Sequence, residues 1–347
     1  MHIDPYVALA GLLVGFTVGL TGMGGGALMT PVLVLLFKVQ PLAAVSSDLV
    51  AAMVMKPLGG SVHVRQRTVK WDLVRWLCVG SIPAAFAGVL LLRGLGDGQK
   101  IQDHVKLALG VALSVAAVSI MAKGYLQGRQ TGRRRAAVAA GGPVAQSRGF
   151  EVKKVPTVLI GAVGGLVVGM TSVGSGSLII IALLLVYPML SSRELVGTDL
   201  IQAIPLVASA ALGHIFFGDF KLDLTASVLI GSLPGVYVGA KLSSRAPDGL
   251  IRPALILVLL ASGLKLLDVQ TSAVGLILLA VAIVALPLWG ALDAASHPEP
   301  HWTAAGLSKR LWVGAQAAGA PFGVGFGMAI FYFATARPKL LAVSLAS

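Results

Sequence analysis

Charge is scarce in this chain. Asp, Glu, Lys and Arg make up 12% of its 347 residues, about half their share in a water-soluble domain. Acids are the scarcer sign, 14 against 27 Lys and Arg. A soluble core needs a charged shell, so the shortage excludes the two or three soluble domains that the length alone would suggest. The one cysteine, Cys78, excludes a disulfide framework and any cysteine-based metal cluster. There is no Gly-x(4)-Gly-Lys-[Ser/Thr] phosphate loop, so the chain is not expected to hydrolyse nucleotide, and no cofactor is expected. What is abundant is apolar: 56% hydrophobic residues and a mean hydropathy of +0.88. The 43 glycines and 17 prolines sit inside these apolar stretches. Helix breakers are tolerated at membrane depth where backbone lines a cavity or packs on other helices.

The formal net charge of +13 invites a nucleic-acid partner, but its location argues against one. Between Lys123 and Lys154 stand eight basic residues and one acid, Glu151. A basic segment between hydrophobic spans is what the positive-inside rule expects of a cytoplasmic loop. The expected surroundings are therefore a lipid bilayer, with no nucleic acid.

Apolar stretches occur at roughly 6–37, 42–64, 71–95, 103–122, 155–187, 194–217, 223–243, 250–268, 272–290 and 309–334. Most suffice to cross a hydrocarbon core of about 30 Å at about 20 residues each. The first has no basic n-region or small-residue cleavage site and reads as a retained segment. The expectation is an all-α polytopic membrane protein with roughly 8–10 transmembrane segments. Its parts are a first repeat at 1–122, a flexible basic cytoplasmic linker at 123–154, a second repeat at 155–268, and a C-terminal transmembrane extension at 269–347.

The repeat rests on aligned residues. At an offset of 150, Gly11, Gly15, Gly19, Thr21, Gly24, Gly26 and Leu28 fall on Gly161, Gly165, Gly169, Thr171, Gly174, Gly176 and Leu178. After one inserted residue, Asp48, His63, Lys70, Asp72, Gly80, Ser81, Pro83 and Gly88 fall on Asp199, His214, Lys221, Asp223, Gly231, Ser232, Pro234 and Gly239. Glycines match easily in so Gly-rich a chain; paired aspartates, histidines and Ser-x-Pro motifs do not. Internally repeated bundles with interrupted helices are typical of secondary transporters. The interrupted stretches 6–37 and 155–187 are either broken helices that cross, giving parallel copies, or re-entrant hairpins, giving inverted ones. Only the hairpin gathers Lys241, Arg245 and Arg252 on the linker's side, so the charge bias leans towards inversion.

The Gly-rich breaks Thr21-Gly22-Met23-Gly24-Gly25-Gly26 and Thr171-Ser172-Val173-Gly174-Ser175-Gly176 each open a half-helix. Two helix starts meeting there would form an anion site without a buried cation. The hydroxyls of Thr21, Thr171, Ser172, Ser175 and Ser177 could add donors, whereas Gly15 and Gly19 with their partners read as helix-packing positions. Asp48 and Asp199 are ionisable groups within spans, either coupling groups for a proton or cation or caps of a helix start. His63 and His214 are gating or proton-sensing candidates, or close a helix C-terminus. No His, Asp or Glu stands three or four residues from either histidine, so no metal site is expected. Lys56 reads as a side chain snorkelling to the interface.

These residues carry a family resemblance. The paired Gly-rich openings, the His-x(6)-Lys-x-Asp stretches at His63 and His214, and the glycines of Gly80…Gly88 and Gly231…Gly239 resemble the sulfite exporter TauE/SafE family, also called the four-toluenesulfonate uptake permeases. The resemblance covers about residues 6–268. It implies an inner-membrane permease for sulfite, a sulfonate, sulfoacetate or a related small anion. The long linker and the segment after about 270 depart from the usual core. Function is thus expected to be secondary transport, without catalysis. The alternatives are an intramembrane serine protease using Ser175 and His214, which the Gly25 counterpart of Ser175 argues against, and a passive anion channel.

Overall fold

The computed structural model describes residues 3–21, 25–96, 98–139, 152–217, 220–242, 248–270, 299–319 and 332–337, with isolated positions between 272 and 343. Among the described residues there is no β-strand. The helices are α1 (Pro5–Thr21), α2 (Gly26–Leu35), α3 (Pro41–Arg65), α4 (Trp71–Gly94) and α5 (Gln99–Ala139), then α6 (Lys154–Thr171), α7 (Leu178–Val186), α8 (Ser192–Phe216), α9 (Leu222–Leu242) and α10 (Asp248–Leu266). Short helices α11 (Glu299–Ala304) and α12 (Lys309–Gly319) follow. Among the described residues six segments, α3, α4, α5 as far as Met121, α6, α8 from Arg193 and α9, are long and apolar enough to cross a membrane. The protein is an all-α polytopic membrane protein.

Two compact units are present. The first holds residues 1–119, 151–245 and 262–268; the second holds 120–150, 246–261 and 269–347. In the second, Trp302 and Tyr332 stack with ring centroids 6.2 Å apart, Trp312 tilts against Tyr332 at 5.9 Å, and Ala294, Ala336 and Leu340 complete the cluster. The span expected at 272–290 lies almost wholly outside the described residues, as does much of that expected at 309–334.

Glycine builds the first unit. Helix α1 packs along α9 and α6 along α4, backbone against backbone. A Cβ at Gly11 would fall 2.7 Å from the Val228 carbonyl oxygen, and one at Gly88 2.6 Å from that of Leu166. Gly15 lies against Ser232, Gly19 against Val236, Gly165 against Ser81 and Gly169 against Ala85. Without a hydrophobic drive between helices in lipid, such close approach supplies the dispersion contacts that hold them.

The direction of packing decides the hairpin question. Along α4 and α8, Ser81 bonds Gln202, Val89 meets Gly213, and Arg93 bonds the Phe217 carbonyl, so these helices run parallel. Along α3 and α8, Gly60 meets Ile201 and His63 meets Gly197, so these run antiparallel. Helix α7 folds back on α6: Gly164 meets Ile179, and the Lys153 N–H donates to the Tyr187 hydroxyl at 2.9 Å. At 9 residues α7 is only about 14 Å long, too short to cross. The α6–α7 stretch is therefore a hairpin, not a broken crossing helix.

Two local signals place the helix starts. Ser191 and Glu194 form a capping box at the start of α8, where Lys70 also pairs with Glu194 at 2.8 Å. Pro41 opens α3, a position that suits proline because no intrahelical N–H is needed there. The flexible linker expected from residue 123 is a correction: α5 continues through Arg133-Arg134-Arg135 to Ala139. Ala, Arg, Gln and Lys are good helix formers, and here they outweigh Gly124, Gly128 and Gly132 within the same stretch. Residues 140–151 lie outside the described ones.

Candidate functional site

Helix α6 ends where the chain turns left-handed. Ser172 has φ 59°, and Gly174 and Gly176 follow with φ 128° and 92°, values that cost a side-chain-bearing residue and come readily to glycine. This conformation aims two hydroxyls inward. Ser172 Oγ donates to Asp48 Oδ2 at 2.6 Å, and Ser175 Oγ accepts from Lys56 Nζ at 2.8 Å. From α2, Thr30 Oγ1 donates to the same Asp48 oxygen at 2.9 Å.

The two breaks touch. A Cβ at Gly26 would fall 2.7 Å from Ser172 Oγ, and one at Gly25 4.0 Å from Asp48 Oδ1. Gly25 is the N-cap of α2. Gly22 and Gly24 lie outside the described residues, and only the backbone of Thr21, the last residue of α1, is described. Thr171 serves its own helix end: Oγ1 donates to the Val167 carbonyl at 2.6 Å and accepts from the Val173 N–H at 3.1 Å.

The helix starts are less open than the sequence suggests. In α7 the N–H groups of Ser177 and Leu178 turn back to the Gly174 carbonyl at 3.4 and 3.0 Å; in α2 those of Leu28 and Met29 turn to Gly25 at 3.0 and 2.9 Å. The charge at the site comes instead from side chains. Asp48 is fully buried and Lys56 is 7% exposed. Lys56 sits within electrostatic reach of both Asp48 and Asp199. The snorkelling expected of Lys56 is corrected here, since it stands nine residues before the end of α3, about 13 Å of helix from the interface.

Asp199 is 2% exposed and accepts from Gln202 Nε2 at 3.2 Å; Gln202 in turn accepts from Ser81 at 3.2 Å. Neither aspartate caps a helix start, because α3 begins at Pro41 and α8 at Ser192, two turns earlier. The histidines stand elsewhere. His214 is buried and donates from Nε2 to the Gly169 carbonyl at 3.0 Å, in the last turn of α6. His63 Nδ1 lies 3.0 Å from Thr68 Oγ1 in the α3–α4 turn. Ser175 and His214, the pair a protease would need, bond to Lys56 and to the Gly169 carbonyl respectively. Among the described residues no cluster of three His, Cys, Asp or Glu could hold a metal.

Thr30, Lys56 and Gln202 were not selected from the sequence. Lys56 carried a usable signal, its depth in the span; Thr30 and Gln202 carried none. A separate groove of about 810 Å³ lies between α5, α6 and α7, lined by residues such as Leu107, Val111, Leu159, Val163 and Ile179. It lacks the charged partners that an anion requires.

A family model described as "Sulfite exporter TauE/SafE" matches residues 7–266, ending with α10. "Probable membrane transporter protein YjnA" of Bacillus subtilis (strain 168) is 38% identical over 262 residues, covering 75% of this chain and 98% of that protein. "Probable membrane transporter protein YdhB" of the same organism is 28% identical over 268 residues, covering 75% and 99% respectively. No solved structure matches the chain.

Proposed function

The chain belongs to the sulfite exporter TauE/SafE family, and from that premise we propose that it is a secondary transporter of the cell inner membrane. Its cargo is a small anion such as sulfite, a sulfonate or a related organic anion. The carrier consists of two related halves in inverted orientation, with the basic linker in the cytoplasm. The anion lies between the breaks Thr21–Gly26 and Thr171–Gly176. The supporting observation is the contact of Gly26 with Ser172 over a buried Asp48. A transporter needs such a site, enclosed and polar, at the meeting of two hairpin tips.

Asp48 and Asp199 serve coupling. A carboxylate beside a bound anion repels it, and a proton on that carboxylate removes the repulsion. Lys56 is the charged group acting on Asp48. Helix α2 and the α6–α7 break present hydroxyls to it, while Asp199 on α8 acts on Lys56; α9 carries Asp223 and Lys241 only near its ends. Binding therefore strengthens as pH falls. His63 and His214 are gating candidates at the α3–α4 turn and the α6 end.

The test is flux into proteoliposomes of sulfite, sulfoacetate, taurine, sulfate and acetate, with and without a pH gradient. Uphill accumulation of one anion driven by the gradient is the expected result, and it also separates a carrier from a passive channel. Flux of none of them, or only downhill flux, overturns the reading.

A further inference from the structure

We infer that Lys56 is the charged anchor of the transported anion, binding it jointly with Ser175; this rests on the transporter reading above. Lys56 is buried to 7% exposure in the interior of α3, and an ammonium carries three N–H donors. Among the described residues it makes one hydrogen bond, to Ser175 Oγ at 2.8 Å. The ion pairs found among these residues join other side chains: Lys70 with Glu194, Arg75 with Asp72, and Lys106 with Asp268. Asp48 and Asp199 both act on Lys56 electrostatically. A lysine kept in a membrane interior at this cost normally has a direct counter-charge. Here none of the ion pairs among the described residues includes Lys56, and its hydrogen bond goes to a break whose Ser175 stands between glycines of positive φ.

The ligand class follows from the donor set. One ammonium and a hydroxyl, without a planar guanidinium fork, suit a compact oxyanion held by point charge. Asp48 uses Oδ2 for both hydroxyl donors, and among the described residues its buried Oδ1 makes no hydrogen bond. That oxygen faces Gly25 and is the place for a neutralising proton when the anion arrives. The first half supplies Lys56 and Asp48 to a break of the second half. The second half has Val207 where a residue equivalent to Lys56 would stand, so the cluster is asymmetric despite the matched halves.

The test uses the purified full chain with radiolabelled sulfite, sulfoacetate and acetate as probes, read by equilibrium binding and by proteoliposome flux. Lys56→Met should weaken binding of the transported probe on the order of 10- to 100-fold, the loss of one charge-assisted hydrogen bond. Lys56→Arg should recover part of it. Because Lys56→Met leaves two carboxylates uncompensated and can fail to fold, Lys56→Met/Asp199→Asn is measured beside it. That double variant restores the cluster's formal charge, and loss of a negative charge at 199 by itself favours anion binding. Weak binding by a folded, monodisperse double variant supports the anchor. Wild-type binding by the double variant overturns it and makes Lys56 a counter-charge only, whatever the loss of Asp199 does to coupled flux. Covalent labelling of Ser175 by a fluorophosphonate also overturns it, assigning Lys56 to activation of that hydroxyl. A wild-type protein that carries none of the probes overturns the transporter reading itself.

Discussion

A buried carboxylate is held in place by whatever donors the fold can supply, and at Asp48 they are hydroxyls. Ser172 and Thr30 both reach Oδ2, at 2.6 and 2.9 Å. Hydrogen bonds to a charged group contribute about 1.5–3 kcal/mol each. Ser172→Ala should therefore lower stability by roughly that amount, read as a fall in melting temperature in detergent. Ser177→Ala should cost far less, because Ser177 caps α7 without a side-chain bond; equal losses would remove Ser172 from its role. Asp48→Asn keeps the shape and removes the charge, so it should spare insertion and flatten the dependence of flux on pH. An unchanged pH profile would return Asp48 to a structural role. Asp48, Ser172 and Ser175 were legible in the sequence, because polar groups in an apolar span are costly and glycines flank the serines. Lys56 was visible but misassigned, and its depth of nine residues from the end of α3 held the correction. Thr30 was not legible, since a threonine in the apolar run Ala27–Phe37 looks the same whether or not it meets an aspartate from another helix.

At the scale of helices, the matched glycines described outside α2 divide into two kinds. Those in α1, α4, α6 and α9 lie against a neighbouring backbone and pack helices, whereas Gly174 and Gly176 have positive φ and shape the break. The sequence offered packing roles for the glycines of α1 and α6 only, and it does not say which helix each stripe meets. Leucine at Gly15 or Gly165 must push two backbones apart, and overpacking of this kind costs at least about 1–3 kcal/mol. Both variants should yield little monodisperse protein. Gly59→Ala meets nothing within 4 Å and should purify normally; a well-behaved Gly165→Leu would refute the close packing of α4 and α6. The hairpin gives a second test at this scale. Lys153 and Tyr187 are hydrogen-bonded neighbours, so cysteines placed there in a Cys78-free background should be joined by a short bis-maleimide. Helices crossing in series would hold those positions apart by about the 30 Å of a bilayer core, and no cross-link would form.

The orientation of the whole molecule follows from which loops share an end. Lys154 lies over the Trp76 ring at 5.2 Å, and Lys70 pairs with Glu194, so the α3–α4 turn, the start of α6 and the start of α8 meet at one end of the first unit. That end gathers Arg65, Arg67, Lys70, Lys153 and Lys154, an excess of positive charge that the positive-inside rule places in the cytoplasm. At the opposite end Arg93 bonds the Phe217 carbonyl at 2.9 Å, and the Asp4 N–H bonds Ser227 at 3.0 Å. Charge counting along the sequence left the two topologies nearly balanced, because the span and the hairpin of 155–187 have the same composition. What separates them is the pairing of α8 with α4 and α3, which only contacts reveal. The consequence is specific to Lys221, at the start of α9. In the inverted arrangement α8 crosses once from Ser192 to Phe216, placing Lys221 outside while Arg67 and Lys153 are inside. In the parallel arrangement α6 and α7 would cross together and α8 would bring Lys221 back to the side of Lys153. Cysteines at positions 67, 153 and 221, probed in intact cells with a membrane-impermeant maleimide, should give labelling at 221 and protection at 67 and 153 until the membrane is opened. Labelling of 221 and 153 from the same side would overturn the inverted arrangement, and with it the opposed pair of halves on which the proposed anion site rests.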